Sequence, residues 1–360
     1  MKPQPRIAIA GGGTGGHIIP ALAIADELKS AYGAEILFIG TPRGLESRLV
    51  PQAGYQLSMI KVGQLKNVSA LTKARTLFDL PLSVLRCMAL LRKFRPNAVI
   101  GVGGYASGPA MGAAILASIP TLAFEPNAVP GLANRLVGRL VNAAAVNFAP
   151  ASKYFNNAQV TGIPVRGEFF RLQPRPAGAP PHLLVFGGSQ GAQVFNLYMP
   201  QIAPALLAAI PVLTLLHQTG AHHAESVLAA YQASGAPSER WQVHAFLDDM
   251  PHRFAAADLV LARSGASTVA ELAAAGKPSL LIPFPRAADD HQRKNAEVLA
   301  EAGAARMLIE SELTREKLQQ CLLRLIADRS QLERMSQRAR TLAHPDATGR
   351  IAAMVDKIAK

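Results

Sequence analysis

The feature that most constrains the fold is a glycine-rich turn between a short apolar strand and a helix, which occurs twice in the chain. In the first copy, five glycines and one threonine fill residues 11–16 after the apolar run 7–10. In the second copy, residues 187–191 hold three glycines and Ser189 after the apolar run 183–186. Glycine adopts positive φ and lets the backbone approach an anion, while the following helix presents unpaired N–H groups. Both turns are therefore predicted to bind phosphate groups or nucleotides.

Apolar strands alternate with longer helical patterns along the chain, which is typical of parallel α/β sheets. The predicted strands are 6–10, 35–40, 97–102, 120–124, 143–148 and 158–161 in the first half, and 211–216, 241–245, 258–262 and 279–283 in the second. Helical patterns run from Arg315 to the end, and the proline- and arginine-rich stretch 162–181 predicts a linker. A length of 360 residues suits two domains. We predict an α/β fold of two Rossmann-like parallel lobes facing each other across a cleft.

Composition narrows the class of protein further. Hydrophobic residues make up 49% and charged residues 17%, which is typical of a globular chain. Cys87 and Cys321 are far apart, so neither a disulfide framework nor a zinc site is indicated, and a reducing compartment fits. The first apolar run is too short for a signal peptide, and the longest ones, 111–124 and 202–216, contain prolines and fall short of the ~20 residues of a membrane span. We predict no transmembrane helix.

The net charge of +13 is concentrated in the window 61–95, which has one acid, Asp79, against eight basic residues. These are Lys61, Lys66, Lys73, Arg75, Arg86, Arg92, Lys93 and Arg95. Apolar residues such as Leu77, Phe78 and Leu82 are interleaved with them. The mixture indicates either an interfacial membrane element or a core-facing helix with a basic, solvated back. Nucleic-acid binding is a weaker hypothesis, because aromatic residues are only 6% of the chain and no known nucleic-acid motif is present.

The first turn also satisfies the G-x-G-x-x-G pattern of dinucleotide-binding folds. The second strand should then end in an acidic residue, but it runs into Thr41 and Arg43, so that only an NADP-binding alternative with Arg43 on the 2′-phosphate is left. His17 follows the turn at a helix N-terminus, where the helix dipole favours the neutral imidazole of a general base. The alternative is a histidine that closes the turn.

Two further stretches follow strands of the first half, at the carboxyl edge where open α/β sheets bind ligands. The glycine-rich turn 101–109 follows the third strand. Glu125 and Asn127 follow the fourth, with a role as surface loop residues as the alternative.

In the second half, residues 263–271 turn from a strand into a helix. Thr268 and Glu271 fit a capping box, or the helix N-terminus faces a diphosphate while Glu271 accepts hydrogen bonds from ribose hydroxyls. The polar run 289–295 suits contacts to sugar hydroxyls. No Asp-x-Asp motif occurs, so a metal-clamped diphosphate is not indicated.

Taken together, these motifs resemble the MurG family of bacterial glycosyltransferases from the first strand to the C-terminal helices. The matching segments occur in the family's order: 12–17, 103–109, 125–127, 162–166, 187–192, 246–250 and 264–271. The resemblance implies the GT-B fold, with an acceptor-binding and membrane-associated lobe at 1–163, a donor-binding lobe at 164–341, and a C-terminal helix at 342–360 that packs back on the first lobe. Pro126 stands where the family usually has Gln, and Phe124 replaces a polar residue of some relatives, which argues against a catalytic side chain at 124.

The resemblance implies an inverting transfer of N-acetylglucosamine from UDP-N-acetylglucosamine (UDP-GlcNAc) to the 4-hydroxyl of N-acetylmuramic acid in lipid I, giving lipid II without cofactor or metal. Expected partners are lipid I and the anionic cytoplasmic face of the cell inner membrane, which the chain would meet as a peripheral protein through 61–95. Other cell-wall enzymes are possible partners, and nucleic acid is not.

The implied site residues form three groups. The expected contacts to the sugar nucleotide are Thr14, Gly15, Gly16, Asn127, Arg166, Ser189, Leu247, Ala266, Ser267, Thr268, Val269, Ala270, Glu271 and Gln292. The acceptor diphosphate is expected at Gly13, Gly103, Gly104 and Tyr105. His17 is the first candidate for the general base and Glu125 the second.

Three other functions compete with this one. A sugar-nucleotide epimerase would share the fold and the UDP-sugar contacts but does not obviously need the basic, apolar window. A membrane- or nucleic-acid-binding module without catalysis leaves the glycine turns without a role, and an NADP-dependent reductase leaves Ser189 and Glu271 without one.

Overall fold

The computed structural model of the chain describes residues 4–42, 44–62, 70–173, 175–176 and 178–359, with the backbone alone for 70–79. The chain divides into two compact units. The N-terminal unit comprises Met1–Pro164 together with His344–Lys360, and the C-terminal unit comprises Val165–Ala343.

The N-terminal unit is built on a parallel sheet with the strand order β3-β2-β1-β4-β5-β6-β7. Its strands are β1 (Arg6–Ala10), β2 (Glu35–Gly40), β3 (Gln56–Met59), β4 (Ala98–Gly101), β5 (Thr121–Glu125), β6 (Ala143–Val146) and β7 (Ala158–Val160). Its first helices are α1 (Gly15–Tyr32), α2 (Glu46–Gln52), α3 (Ala70–Phe94), α4 (Ser107–Leu116) and α5 (Leu132–Val137), followed by a 3-10 helix at Ala149–Tyr154. In the register of the central strands, Ile7 pairs with Ile36 of β2 and with Ala98 of β4.

The C-terminal unit repeats the plan with a parallel sheet in the order β10-β9-β8-β11-β12-β13. Its strands are β8 (His182–Phe186), β9 (Thr214–Gln218), β10 (Trp241–His244), β11 (Leu259–Ala262), β12 (Ser279–Leu281) and β13 (Ala305–Met307). Its helices are α6 (Gly167–Phe170), α7 (Gln193–Ala209), α8 (Ala224–Ala233), α9 (Met250–Ala256), α10 (Ala266–Ala275), α11 (His291–Glu301), α12 (Arg315–Ala327) and α13 (Arg329–Arg340). Shorter 3-10 helices lie at Ala221–His223, Ser238–Arg240, Ala288–Asp290 and Glu310–Glu312.

The chain then returns to the N-terminal unit. The last helix, α14 (Ala347–Ile358), packs on α1 and against β4 and β6. Its apolar residues Ile351, Ala352 and Val355 are fully buried. Burial of this stripe stabilises the attachment of the C-terminus to the N-terminal unit.

In each sheet the strand order reverses beside the first strand, and this reversal positions the site. The connection after β1 runs to one side of the sheet and the connection after β4 to the other, and the same is true of β8 and β11. The turns that follow two adjacent strands therefore diverge and leave a crevice at the carboxyl edge, where ligands bind in open α/β sheets. In the N-terminal unit these turns are 11–14 and 102–106, and in the C-terminal unit they are 187–192 and 263–265.

The structure confirms two parallel α/β units and the predicted strands, to within a few residues at their ends. The sequence patterns missed β3 and β13, which are edge strands of four and three residues, nearly all of them exposed or half-buried. The stretch predicted as a linker contains α6, whose Phe169 is fully buried against Phe254 at a ring-centroid distance of 5.1 Å. Within the described residues, no helix has the length and hydropathy needed to cross a membrane.

Candidate functional site

The glycine turn of the N-terminal unit is held by three hydrogen bonds that its backbone N–H groups donate, two to backbone carbonyls and one to a side chain. Gly11 donates to the carbonyl of Ile39 at 3.0 Å, and Gly12 donates to the carbonyl of Gly103 at 3.2 Å. Gly13 donates to Oε2 of Glu46 at 2.6 Å. The φ angles of the three glycines are 143°, 137° and 95°, which L side chains rarely adopt. These three N–H groups are therefore used inside the protein.

The next three residues present the N–H groups that the turn leaves open. The N–H groups of Thr14, Gly15 and Gly16 have no acceptor in the part of the chain that the structure describes. They lie at the start of α1, where the helix dipole attracts negative charge. The turn can therefore accept an anion at 14–16. The N–H group of Gly13 donates to Glu46, so the acceptor-diphosphate role implied for Gly13 stays a prediction that this N–H group does not support.

His17 is fixed at the junction of the two turns. Thr14 is the N-cap of α1, but its hydroxyl makes no cap hydrogen bond and instead lies 3.1 Å from Nδ1 of His17. On the other side, a Cβ at Gly103 would lie 2.9 Å from both Cδ2 and Nε2 of the imidazole, so that only glycine fits there. When Nδ1 carries the proton and donates it to Thr14, Nε2 is the basic atom of the ring.

Glu125 is placed very differently from His17. It is 2% exposed, and both carboxylate oxygens accept hydrogen bonds. Oε1 accepts from the backbone and side-chain nitrogens of Asn127 at 2.9 and 3.2 Å, while Oε2 accepts from Gly131 N at 3.2 Å and from Asn134 Nδ2 at 2.9 Å. Burial raises the pKa of Glu125, and these hydrogen bonds oppose the rise. The carboxylate is arranged to hold the loop after β5, including Asn127, in one conformation.

The turn after β4 brings the other implied acceptor contacts to the same edge. Gly103 and Gly104 have φ angles of 88° and 83°, and a side chain at Gly104 would overlap the carbonyl of Gly12. The N–H groups of 103–105 have no acceptor among the described residues, and the ring of Tyr105 is 42% exposed. The arrangement provides a small concave set of donors next to His17.

In the C-terminal unit, the turn after β8 presents Ser189 at its tip. Gly191 donates to the carbonyl of Gly188 at 2.9 Å, and Ser189 is exposed. The buried amide of Gln218 donates to the carbonyl of Gly188 at 3.1 Å. The turn is thus held by hydrogen bonds between neutral groups, and the hydroxyl of Ser189 lies on its exposed side.

The neighbouring helix α10 begins earlier than the capping-box hypothesis requires. Its N-cap is Gly265, and no side chain caps it. Thr268 and Glu271 both lie inside the helix, so the capping box is wrong. The N–H groups of Ala266, Ser267 and Thr268 have no acceptor in the described chain and form an open helix N-terminus.

Glu271 lies one turn further along α10 and is half-buried. Burial raises the pKa of its carboxyl to about 7, while the nearby positive charge of Arg166 lowers it. Arg166 is exposed, with its guanidinium 5.1 Å from the ring centre of Phe169. The described residues donate no hydrogen bond to the Glu271 carboxylate, so it can accept hydrogen bonds from a ligand.

The remaining implied donor contacts lie on two further loops of this unit. Leu247 follows β10 and is 5% exposed. Gln292 is tied to the α10 turn, because Ser264 Oγ donates to its carbonyl at 2.8 Å. Its side-chain Oε1 accepts a hydrogen bond from the backbone N–H of Phe284 at 3.0 Å. The NH₂ group of the same amide takes no part in that bond.

Three residues of the polar run 289–295 have side-chain partners within the same unit. Arg293 and Lys294 pair with Glu297 at 2.9 and 2.8 Å, and Asn295 is buried and donates to the carbonyl of Ser264 at 3.1 Å. The contacts to sugar hydroxyls expected of this run stay a prediction, and Gln292 is its member that is joined to the α10 turn.

The basic window is described in part. The described residues do not include Lys66 or the side chains of Lys73, Arg75, Leu77 and Phe78. Outside the window, they also do not include Arg43, the residue of the NADP alternative. From residue 80 onward, α3 buries Cys87, Leu91 and Phe94 and exposes Leu82 and Leu85 at 48% and 61%. A groove of ≈ 490 Å³ beside α3 is lined by Met59, Ile60, Lys61, Arg86, Ala89, Leu90 and Lys93. The helix is core-facing on one side and both basic and apolar on the other.

Comparison with known proteins agrees with this architecture. Residues 7–146 match the glycosyltransferase family 28 N-terminal domain, and residues 182–351 match the glycosyltransferase family 28 C-terminal domain. A crystal structure of MurG from Acinetobacter baumannii superposes with a TM-score of 0.83 at 32% identity, covering 98% of this chain and 99% of that one. A UDP-N-acetylglucosamine 2-epimerase structure shares the fold with a TM-score of 0.68 at 15% identity over 98% and 95% of the chains.

The fold alone is thus common to transferases and epimerases, whereas sequence identity separates them. The chain is 44% identical, over 98% of its length and 96% of the relative's, to a protein of Solibacter usitatus named UDP-N-acetylglucosamine–N-acetylmuramyl-(pentapeptide) pyrophosphoryl-undecaprenol N-acetylglucosamine transferase. An NADP-dependent reductase and a non-catalytic module do not fit this relationship. With its two family 28 domains and this identity along nearly the whole chain, the protein belongs to the MurG family of N-acetylglucosaminyltransferases.

Proposed function

We propose that this chain transfers N-acetylglucosamine from UDP-GlcNAc to the 4-hydroxyl of N-acetylmuramic acid in lipid I, giving lipid II and UDP. This is the last cytoplasmic step in the synthesis of the peptidoglycan precursor. The observation that carries the proposal is the 44% identity over 98% of the chain to a relative whose name states this donor and acceptor. The open N–H groups of both units support it, because donor and acceptor each carry a diphosphate.

The C-terminal unit would bind the donor. UDP-GlcNAc carries a diphosphate that gains negative charge as the bond to the sugar breaks. The open N-terminus of α10 at 266–268 and the guanidinium of Arg166 could stabilise that charge in the transition state more than in the ground state. Glu271 would accept hydrogen bonds from the ribose hydroxyls, which only its ionised form can do with both oxygens.

The N-terminal unit would bind the acceptor and remove its proton. The 4-hydroxyl oxygen forms a bond to the anomeric carbon while the bond from that carbon to the UDP oxygen breaks, with inversion. The hydroxyl proton passes to Nε2 of His17, whose Nδ1 is held by Thr14. The N–H groups of 103–105 would hold the acceptor diphosphate. His17 is preferred over Glu125, because each Glu125 oxygen already accepts two hydrogen bonds, from Asn127 or from Gly131 and Asn134.

A polyprenyl-linked acceptor stays in the bilayer, so the N-terminal unit would dock on the cytoplasmic face of the inner membrane. Helix α4 contacts both α3 and α5, and leucines are exposed on all three helices and just after α5. Leu82, Leu85, Leu116, Leu136 and Leu140 are 48%, 61%, 70%, 68% and 64% exposed. Basic residues near an anionic surface contribute about 1 kcal/mol each, and the leucines would add a part that salt does not remove.

The decisive experiment is incubation with labelled UDP-GlcNAc and a lipid I analogue. We expect UDP and a lipid-linked disaccharide to form in equal amounts. Conversion of UDP-GlcNAc to its 2-epimer, or UDP release without disaccharide, would overturn the proposal.

A further inference from the structure

A buried carboxylate that the sequence patterns did not single out lies beneath the glycine turn of the N-terminal unit. Glu46, the first residue of α2, is 1% exposed. Its Oε2 accepts the N–H of Gly13 at 2.6 Å, and its Oε1 accepts both the N–H and the hydroxyl of Thr41 at 2.9 Å. One side chain therefore joins the turn after β1 to the turn after β2.

The surrounding glycines make room for this carboxylate. A Cβ at Gly12, Gly40 or Gly44 would overlap the side chain of Glu46. The carbonyl of Gly13 also accepts the N–H of Leu45 at 3.4 Å, so Gly13 is held on both sides by the segment that begins α2. Three glycines therefore surround the Glu46 side chain, and none of them could carry a side chain without displacing it.

We propose that Glu46 is a positioning residue for the transfer reaction: it fixes Gly13 so that the adjacent Thr14 holds His17 against Gly103. The proposal rests on the proposed function and on the role of His17 there. The short bond from Gly13 also removes one N–H from the turn, so that an anion is directed to the N–H groups of 14–16 and not beneath the loop. A buried carboxylate accepts from Gly13 with one oxygen and from Thr41 with the other. A glutamine side chain in its place has a single accepting oxygen, because its NH₂ group only donates.

The test is a double-mutant cycle between Glu46→Gln and His17→Ala, measured as kcat on a short-chain lipid I analogue. Glu46→Gln alone should lower kcat by about 10- to 100-fold, because small misplacements of a base are costly. In the His17→Ala background the same change should have little further effect, because Glu46 acts through His17. Asp26→Asn, which removes a carboxylate that accepts the hydroxyl of Tyr55 on the same unit, should leave kcat within about 2-fold.

A second variant keeps the test valid if Glu46→Gln does not fold. Thr41→Val removes one of the three hydrogen bonds to Glu46 and should lower kcat about 2- to 5-fold, again only while His17 is present. Losses that multiply with that of His17→Ala, or a Glu46→Gln enzyme with normal kcat, would overturn the role of Glu46. A wild-type protein that makes no disaccharide would instead overturn the proposed function, so the two failures are distinguishable.

Discussion

The two glycine turns have similar sequences but are held in opposite ways. The turn of the N-terminal unit is clamped from beneath by the carboxylate of Glu46, whereas the turn of the C-terminal unit is clamped by the neutral amide of Gln218, which donates to Gly188. A negative charge beneath a turn is unfavourable for an anion bound at the same N–H groups, and a neutral amide is not. We therefore propose that the first turn mainly positions a base and that the second leaves its outer face to a ligand.

Helices α1 and α10, which begin at or beside these turns, differ in their N-cap residues. At α1 the N-cap hydroxyl of Thr14 is committed to His17, and at α10 the N-cap is Gly265, which has no side chain to commit. Both helix starts are open to anions, but only the first carries a titratable ring. The proposed function assigns the base and the donor contacts to different units, and each assignment can be tested separately.

The largest expected effect is the loss of the base in the N-terminal unit. His17→Ala should lower kcat by about 10²- to 10⁴-fold, which is the usual contribution of general acid–base catalysis, while UDP still binds. Steady-state kinetics with the short-chain acceptor and UDP titration would measure both quantities. A variant with near-normal kcat and an unchanged pH profile would remove His17 from the mechanism and favour Glu125.

The donor side should respond to Glu271. Glu271→Ala should lower kcat/KM for UDP-GlcNAc by about 10- to 1,000-fold, since one or two charge-assisted hydrogen bonds are lost. Glu301→Ala, at the end of α11 in the same unit, is the matched control and should change little. Unchanged UDP affinity and turnover in Glu271→Ala would reduce Glu271 to a structural residue of α10.

The raised pKa of Glu271 predicts a pH dependence on the donor side. A carboxyl with a pKa of about 7 is mostly protonated at pH 6, and ribose hydroxyls favour its ionised form. UDP-GlcNAc affinity should therefore rise about tenfold between pH 6 and pH 8, with proton release on binding below pH 7. Calorimetry in buffers of different ionisation enthalpy would show this, and Glu271→Gln should flatten the dependence.

In the ligand-free protein, the contribution of Glu271 to the free energy of unfolding changes with pH in the opposite direction. Because the folded pKa lies above the unfolded one, the contribution of Glu271 to stability is present at low pH and is lost as pH rises through about 7. Glu271→Gln should remove this part of the pH dependence of unfolding.

The smallest expected effect concerns the leucine-bearing face of the N-terminal unit. Leu85→Asp combined with Arg86→Glu should reduce sedimentation with anionic vesicles and lower turnover of long-chain lipid I by about 3- to 10-fold. Turnover of a water-soluble short-chain acceptor should be nearly unchanged. Leu197→Asp, at a leucine of the C-terminal unit that is 54% exposed, serves as the control. Equal losses on both acceptors would contradict the docking role.

The sequence by itself determined the two parallel α/β units, most strand positions and both glycine turns, because hydrophobic periodicity and glycine spacing are local properties of the chain. It also singled out His17 and Glu271 as candidate site residues, each within a few residues of a recognisable turn. The edge strands β3 and β13 were missed because such short, partly exposed strands carry little periodic signal. The capping box was wrong because α10 begins directly after Gly265, so that Thr268 and Glu271 both lie inside the helix.

Only the tertiary structure decided how these residues are used. Glu46 is 33 positions from Gly13, and the hydrogen bond between them exists because β1 and β2 are neighbours in the sheet. The burial that raises the pKa of Glu271 likewise results from packing. Residue type and spacing identify which groups can do chemistry, but hydrogen-bond partners and desolvation set their protonation and orientation, and these are fixed by contacts between segments distant in sequence.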